Sequence, residues 1–135
     1  MDKKRYEIEH VVEPDEIDAF RHVNNVVYLK WFIRIAAEHC ASAGWSVKKM
    51  CEELGQGWII KSHQLEYLIP VKPYQKVKIV TWVEYVKAAS SERRYEALDE
   101  RGRVCAKGST IWVWVDYRTG RPLRIPAEIA KSFGF

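Results

Sequence analysis

The stretch that decides the fold runs from residue 14 to residue 41 and reads PDEIDAFRHVNNVVYLKWFIRIAAEHCA. Its second part is apolar with helical spacing. One apolar stripe comprises Val26, Leu29, Ile33, Ala36, Ala37 and Cys40, and a second comprises Val27, Trp31 and Ile35. Beyond the first turn, the polar side chains fall nearly on one line, Lys30, Arg34, Glu38 and Ser42. A helix this apolar is predicted to be enclosed by the rest of the protein, with Gly44 as its C-terminal cap.

Most of the remaining chain has the alternating pattern of strands. Residues Tyr6 to Val12 predict a first strand that ends before Pro14, and from Trp58 onward the period of two predicts strands at about 58–69, 76–87, 91–99 and 103–116. Short helices are predicted at 46–54, capped by Ser46, and after Pro126. One strand, a long helix and four antiparallel strands predict a single α+β domain over residues 1–135, with the sheet curled around the helix.

The last predicted strand is apolar on both faces. Ile111, Val113 and Val115 share one face, and Trp112 and Trp114 share the other. Because the helix covers one face only, we expect the Trp face to be covered by a second subunit.

Composition and charge exclude several classes of function. The 22 Lys and Arg against 18 Asp and Glu give a net charge of +4, but the basic residues are scattered, so no nucleic-acid partner is predicted. The three cysteines and the histidines lack metal-ligand spacing, so neither a metal site nor a disulfide framework is predicted. The N-terminus lacks the apolar core of a signal peptide, and no apolar run approaches the ~18 residues of a membrane span. We therefore expect a cytoplasmic protein without a membrane partner.

Four polar residues, Asp18, His22, Asn24 and Asn25, lie directly before the long helix. A carboxylate near the N-terminus of a buried helix is held ionised by the positive end of the macrodipole, so Asp18 is a candidate nucleophile or general base. The first free N–H groups of the helix, near Asn25, can polarise a carbonyl group. Asn24 is predicted to cap the helix. The alternative is that Asp18 and the asparagines only cap and turn the chain.

The pattern D-x-x-x-HVNN-x-x-Y-x-x-W, from Asp18 to Trp31, resembles the active-site loop and central helix of hotdog-fold thioesterases. The 4-hydroxybenzoyl-CoA thioesterase-like enzymes match in the aspartate and the helix, and the acyl-ACP thioesterases match in the HVNN run. The resemblance implies a hotdog fold, hydrolysis of an acyl-CoA or acyl-ACP thioester in fatty acid metabolism without a metal or other cofactor, and a homodimer or homotetramer.

The resemblance also implies roles for single residues. Asp18 would be the nucleophile or base, the backbone of Asn25 would polarise the thioester carbonyl, and His22 and Asn24 would orient the reacting groups. Four further residues are candidates for substrate binding, and these are Phe20, Tyr28, Trp31 and Glu66. The chain departs from both families, because Phe20 stands where the acyl-ACP thioesterases have asparagine and Arg21 where the acyl-CoA enzymes usually have glycine.

Two other functions remain open from the sequence. Hotdog hydratases and dehydratases also use an aspartate and a histidine, but in D-x-N-P-x-H the spacing is five residues, whereas His22 follows Asp18 by four. A non-catalytic acyl-binding protein would have the same pocket and dimer without turnover.

Overall fold

A five-stranded antiparallel sheet holds one long helix against its inner face in the computed structural model, which describes residues 4–135, so the first residues of the N-terminal stretch lie outside it. The strands are β1 (Arg5–Val11), β2 (Gln56–Tyr67), β3 (Lys76–Lys87), β4 (Ser90–Leu98) and β5 (Val104–Asp116), in the order β1-β3-β4-β5-β2. Register shifts interrupt the pairs β2–β5, β3–β4 and β4–β5. Such bulges increase the local twist and bend of a sheet. The predicted α+β fold, a curled sheet around a long helix, is confirmed.

The helices begin and end close to the residues that the sequence indicated. Helix α1 spans Asn25–Ser42, and Asn24 caps it by accepting a 3.0 Å hydrogen bond from the Val26 N–H. Gly44 follows with a φ of +90°, the left-handed conformation expected after a helix C-terminus. Helix α2 (Val47–Lys49) is capped by Ser46 and continues as a π-helical turn, Met50–Leu54. Helix α3 (Ala127–Ser132) begins after Pro126. Within residues 4–135, no helix has the length and apolar character needed to cross a membrane.

Helix α1 is buried on one side only, and three of its buried residues, Trp31, Ile35 and Ala36, belong to the predicted apolar stripes. The side chains that face the core are Tyr28, Trp31, Phe32, Ile35, Ala36 and His39. Val26, the first residue of the predicted stripe, is 58% exposed, and Ala37 is exposed as well. The prediction that the whole helix is enclosed is therefore wrong for the single chain. Because α1 is apolar on most of its circumference, its sequence does not show which side faces the sheet.

The two faces of β5 point in the directions opposite to those predicted. Trp114 is fully buried on the helix side of the sheet, where its ring makes an edge contact with Trp58, and Trp112 packs against the neighbouring core cluster that contains Phe32 and Tyr95. Ile111 and Val113 lie half-buried on the opposite face. The expectation that a second subunit covers the Trp face is therefore wrong, because helices α1 and α3 already contribute to that core.

The close approach of α1 to the sheet depends on Gly108. The ring of Phe32 stacks on Tyr95 with centroids 4.8 Å apart. A Cβ atom on residue 108 would lie 2.5 Å from Leu65 Cδ2 and 3.2 Å from Phe32 Cε2. Any side chain at this position would therefore force the helix or its neighbours to move.

Two basic side chains, His39 of α1 and Arg93 of β4, are buried between the C-terminal half of α1 and the sheet. Arg93 on β4 is 4% exposed, and its Nη1 donates to Nδ1 of His39 at 2.8 Å. Burial, together with the positive charges of Arg93 and Lys4, lowers the pKa of His39 to about 4. His39 is therefore a neutral hydrogen-bond acceptor at pH 7.

The lowered pKa of His39 makes the stability of the fold dependent on pH. The unfolded chain protonates His39 below its ordinary pKa of 6.5, whereas the folded chain does so only near 4. This contribution is fully present above pH 6.5 and is lost as the pH falls toward 4. We expect the free energy of unfolding to fall by about 1.5 kcal/mol more between pH 6.5 and pH 5 in the parent protein than in His39→Gln, measured by urea denaturation. Equal slopes in the two proteins would contradict the assignment.

Candidate active site

The loop between β1 and α1 holds the polar residues in a fixed, folded-back conformation. Ile17 and Val23 form an antiparallel bridge at its base. The N–H of Val23 donates to the carbonyl of Val71, and the N–H of Asn24 donates to the carbonyl of Glu16, both at 2.9 Å. The segment between Ile17 and Val23 is therefore held in place and can present its side chains together at the start of α1.

Asp18 and His22 face each other across this loop. The N–H of Asp18 donates to the carbonyl of His22 at 2.9 Å, and Oδ1 of Asp18 accepts from the N–H of Phe20 at 2.9 Å and from the N–H of His22 at 3.4 Å. Arg21 completes the turn with a φ of +66°. The second carboxylate oxygen, Oδ2, has no hydrogen-bond partner within residues 4–135, so it is available to a water or a substrate.

The N-terminus of α1 has one free backbone donor beside this loop. The N–H of Val26 is taken by the cap of Asn24, and the N–H of Val27 donates to the carbonyl of Asn24 at 2.9 Å. The N–H of Asn25 has no acceptor in the part of the chain that the structure describes. It carries the positive partial charge of a helix that is 18 residues long. The prediction that Asn24 is the cap is confirmed, and the Asn25 amide is left available for a ligand.

Glu16 anchors the loop to the fold. Its Oε2 accepts a 2.7 Å hydrogen bond from Nε1 of the buried Trp31, and its Oε1 contacts Nε2 of His10 at 2.7 Å and the N–H of Glu13 at 2.8 Å. Burial raises the pKa of Glu16, but the hydrogen bonds from Glu13, His10 and Trp31 outweigh burial, and the net effect is a lowered pKa. The ionised carboxylate thus joins β1, the turn at residues 14–16 and α1.

The four predicted substrate-binding residues do not share one location. Tyr28 and Trp31 are core residues, 3% and 4% exposed, with their rings 5.1 Å apart in an edge contact. Phe20 lies at the tip of the turn and is 81% exposed. Glu66 points to the outer face of the sheet, where it meets Lys107 at 3.8 Å. Of the four, only Phe20 lies in the loop of Asp18, and Glu66 does not approach that loop within this chain.

Sequence reasoning missed two residues near the site, Glu16 and Tyr67. The hydroxyl of Tyr67 donates to the carbonyl of Asn25 at 3.4 Å, and its ring packs 5.5 Å from Tyr28. Strand alternation was the available signal for Tyr67, since a neighbour of Glu66 must point to the opposite face of the sheet. No comparable signal identifies Glu16, because its partner Trp31 is 15 residues away.

The side chains near the loop offer no set of metal ligands. Within residues 4–135, no group of three or more His, Cys, Asp or Glu side chains could hold a metal ion. Cys40 is not a candidate nucleophile, because burial raises the pKa of its thiol. The groups that remain for chemistry are a carboxylate oxygen, a neighbouring imidazole and a backbone amide.

Comparison with known proteins gives a consistent family. The family model of the thioesterase-like superfamily matches residues 12–133. The uncharacterized protein YsmA of Bacillus subtilis is 26% identical over 106 residues, which are 78% of this chain and 69% of that protein.

Two solved structures have the same architecture. A putative oleoyl thioesterase from Lactobacillus plantarum has a TM-score of 0.90 at 17% identity over 97% of this chain. The present chain covers 51% of that protein and so spans about half its length. A DHNA-CoA thioesterase from Staphylococcus aureus has a TM-score of 0.79 at 25% identity, with 89% of this chain and 80% of that chain covered.

The anchoring role of Glu16 predicts a specific loss of stability. Glu16→Ala would leave Nε1 of Trp31 buried without an acceptor, so we expect the free energy of unfolding to fall by about 1–3 kcal/mol. The exposed neighbour Asp15 forms no side-chain hydrogen bond within residues 4–135, and Asp15→Ala is the matched control, expected to stay within about 0.5 kcal/mol of the parent. Urea denaturation of both variants checks this, and equal effects would remove Glu16 from its anchoring role.

Proposed function

Because this chain belongs to the thioesterase-like superfamily and has the hotdog fold, we propose that it is an acyl thioesterase. It would hydrolyse an acyl-CoA or acyl-ACP thioester to a free carboxylic acid and a thiol. The observation that carries this proposal is the unpaired N–H of Asn25 at the positive end of α1, next to the loop that presents Asp18. These are an electrophilic donor and a base, the two groups that addition to a thioester carbonyl requires.

The proposed hydrolysis begins with the thioester oxygen on the Asn25 N–H. Oδ2 of Asp18 either takes a proton from a water that adds to the carbonyl carbon or adds to that carbon itself. The developing negative charge on oxygen is stabilised by the amide and by the helix dipole. When the C–S bond breaks, the thiolate leaves and takes up a proton, and the acid is released directly or after hydrolysis of the aspartyl intermediate.

His22 and Asn24 have supporting roles in this proposal. Asn24 caps α1 and thereby keeps the first turn in the conformation that directs the Asn25 amide outward. The imidazole of His22 forms no hydrogen bond within residues 4–135, so it is free to orient a water or the thioester.

The acyl group and its carrier are assigned only by class. The similar protein from Staphylococcus aureus is a DHNA-CoA thioesterase, and the one from Lactobacillus plantarum is a putative oleoyl thioesterase. These names support a thioester substrate, and they differ in whether the acyl group is aromatic or aliphatic. We propose the general reaction and leave the acyl group to a substrate panel.

The proposed mechanism predicts the effect of a substitution at Asp18. Asp18→Asn keeps an oxygen at Oδ1 to accept the N–H of Phe20, so the loop should fold as before, but the base is lost. We expect turnover to fall by at least ~10²-fold, measured as thiol release from a panel of acyl-CoA and acyl-ACP substrates. The melting temperature should be unchanged.

The control for this experiment is Asp15→Asn, which removes a carboxylate three residues earlier in the chain. It should retain full turnover. Equal turnover in Asp18→Asn and the parent protein would remove Asp18 from the mechanism, and hydration of an enoyl thioester without thiol release would favour the hydratase alternative.

A further prediction concerns the assembly, which we propose to be a homodimer or a homotetramer built from dimers. Strand β2 is 12 residues long, forms one edge of the sheet, and exposes Ile59 by 46% and Ile60 by 40%. A long apolar edge of this kind pairs readily with another chain. Light scattering at micromolar concentration should give at least a dimer.

Two variants locate the proposed interface. Ile59→Lys places a charge on the β2 edge and should yield monomers. Tyr74→Lys adds the same charge at a 73% exposed position next to the opposite edge, where the Tyr74 N–H donates to the Val12 carbonyl, and should leave the dimer intact. A monomeric parent protein would contradict this assembly.

A further inference from the structure

A cavity of about 200 Å³ lies between the C-terminal half of α1, helix α3 and the inner face of the sheet. Its walls are mainly apolar, and they include Ile33, Met50, Trp112, Ile129 and Phe133. Val47 and Tyr117 also line it and are 58% and 40% exposed, so the cavity reaches the surface beside α2. None of its lining residues belongs to the loop of Asp18.

The cavity is separate from the start of α1. Ile33 is the lining residue of α1 that comes first in the chain, eight residues after Asn25. With a rise of 1.5 Å per residue, this separation is about 12 Å along the helix axis. The function proposed for the start of α1 therefore does not explain this cavity.

One of the residues that line the cavity is Arg93, which is 4% exposed and carries a buried positive charge. Its neighbours are all neutral. Nη1 donates to Nδ1 of His39 at 2.8 Å and to Oγ1 of Thr81 at 3.2 Å, Nη2 contacts Sγ of Cys40 at 3.7 Å, and the ring of Phe133 lies 5.4 Å away. No carboxylate within residues 4–135 forms an ion pair with it.

Three exposed arginines have the carboxylate partner that Arg93 lacks within residues 4–135. Arg34 pairs with Glu38, Arg94 with Glu92, and Arg103 with Asp99. A guanidinium group remains charged at every accessible pH, and a buried charge is costly unless an opposite charge accompanies it. The buried arginine, which most needs an anion, thus has none in the described chain.

We propose that this cavity binds a small carboxylate with an apolar body, whose carboxylate group accepts hydrogen bonds from Arg93 while its apolar part packs against α1 and α3. Guanidinium and carboxylate groups are matched in shape and charge. An apolar cavity of ~150 Å³ accommodates benzene, so about 200 Å³ suits a ligand near the size of benzoate or hexanoate.

The ligand is a free acid and not the acyl group of the thioester proposed above. Arg93 contacts His39, which follows Asn25 by 14 residues, a separation of about 21 Å along the axis of α1. Because a six-carbon acyl chain whose carbonyl lies on the Asn25 N–H is too short to reach Arg93, binding at this site does not require turnover.

The direct test compares isosteric ligands by isothermal titration calorimetry on the intact protein. Hexanoate should bind at least ~10-fold more tightly than hexanamide, because only the former pairs with the guanidinium charge. Arg93→Gln should remove this preference. Arg94→Gln, which alters the next residue on the opposite face of β4, should retain it.

The proposal is overturned when hexanoate and hexanamide bind the parent protein equally, or when a carboxylate preference persists in Arg93→Gln. Neither result depends on thioester hydrolysis, so failure of this proposal and failure of the proposed function are distinguishable. Because the comparison of hexanoate with hexanamide is made on the parent protein, it holds even if Arg93→Gln does not fold.

Discussion

The packing of α1 against the sheet is the constraint on which the rest of the structure depends. Phe32 stacks on Tyr95 beside Gly108, where an added Cβ atom would lie 2.5 Å from Leu65 Cδ2 and 3.2 Å from the Phe32 ring, so that both side chains would have to move. This contact fixes the depth of the helix, and the helix in turn carries Trp31 to the carboxylate of Glu16. The position of the loop that holds Asp18 is therefore set by a close approach in the core that involves none of the reactive groups.

The two halves of α1 meet charges of opposite sign, of which Glu16 is half-buried and Arg93 is buried. Glu16 contacts Trp31 in the first half, and Arg93 contacts His39 in the last turn. Each sign suits the macrodipole, which favours anions near the N-terminus and cations near the C-terminus. The two charges differ in their partners, because Glu16 accepts three hydrogen bonds while Arg93 donates to neutral groups only. The first charge is balanced within the described chain, whereas the second has an unmet requirement for an anion.

Local signals in the sequence predicted the elements but not their orientation. The helix ends are predictable because side-chain capping and backbone conformation depend on near neighbours only, as at Asn24, Ser46 and Gly44. The sequence predicts that α1 is enclosed on all sides and that the Trp face of β5 points outward, and both predictions are wrong because the two elements are apolar on more than one side.

The polar interior was harder still to predict. Strand alternation places Arg93 on the same face as Tyr95 and Ala97, but its partner His39 is 54 residues away, so the chain near Arg93 does not show what it contacts. The same holds for Glu16. Sequence patterns therefore predict the overall architecture but do not predict which distant polar groups pair.

The openness of the loop connects the proposed reaction to the proposed assembly. Three exposed apolar side chains lie in or next to this region: Phe20 in the loop of Asp18, Val26 directly after Asn25, and Tyr67, whose hydroxyl donates to the Asn25 carbonyl. In open water the partial charge of one amide is strongly screened, whereas in a site closed to water the same amide stabilises an oxyanion far more effectively. A partner surface that covered these apolar side chains would also remove water from Asp18 and Asn25. The assembly would then supply the low dielectric that a single chain, with this loop at its surface, does not provide.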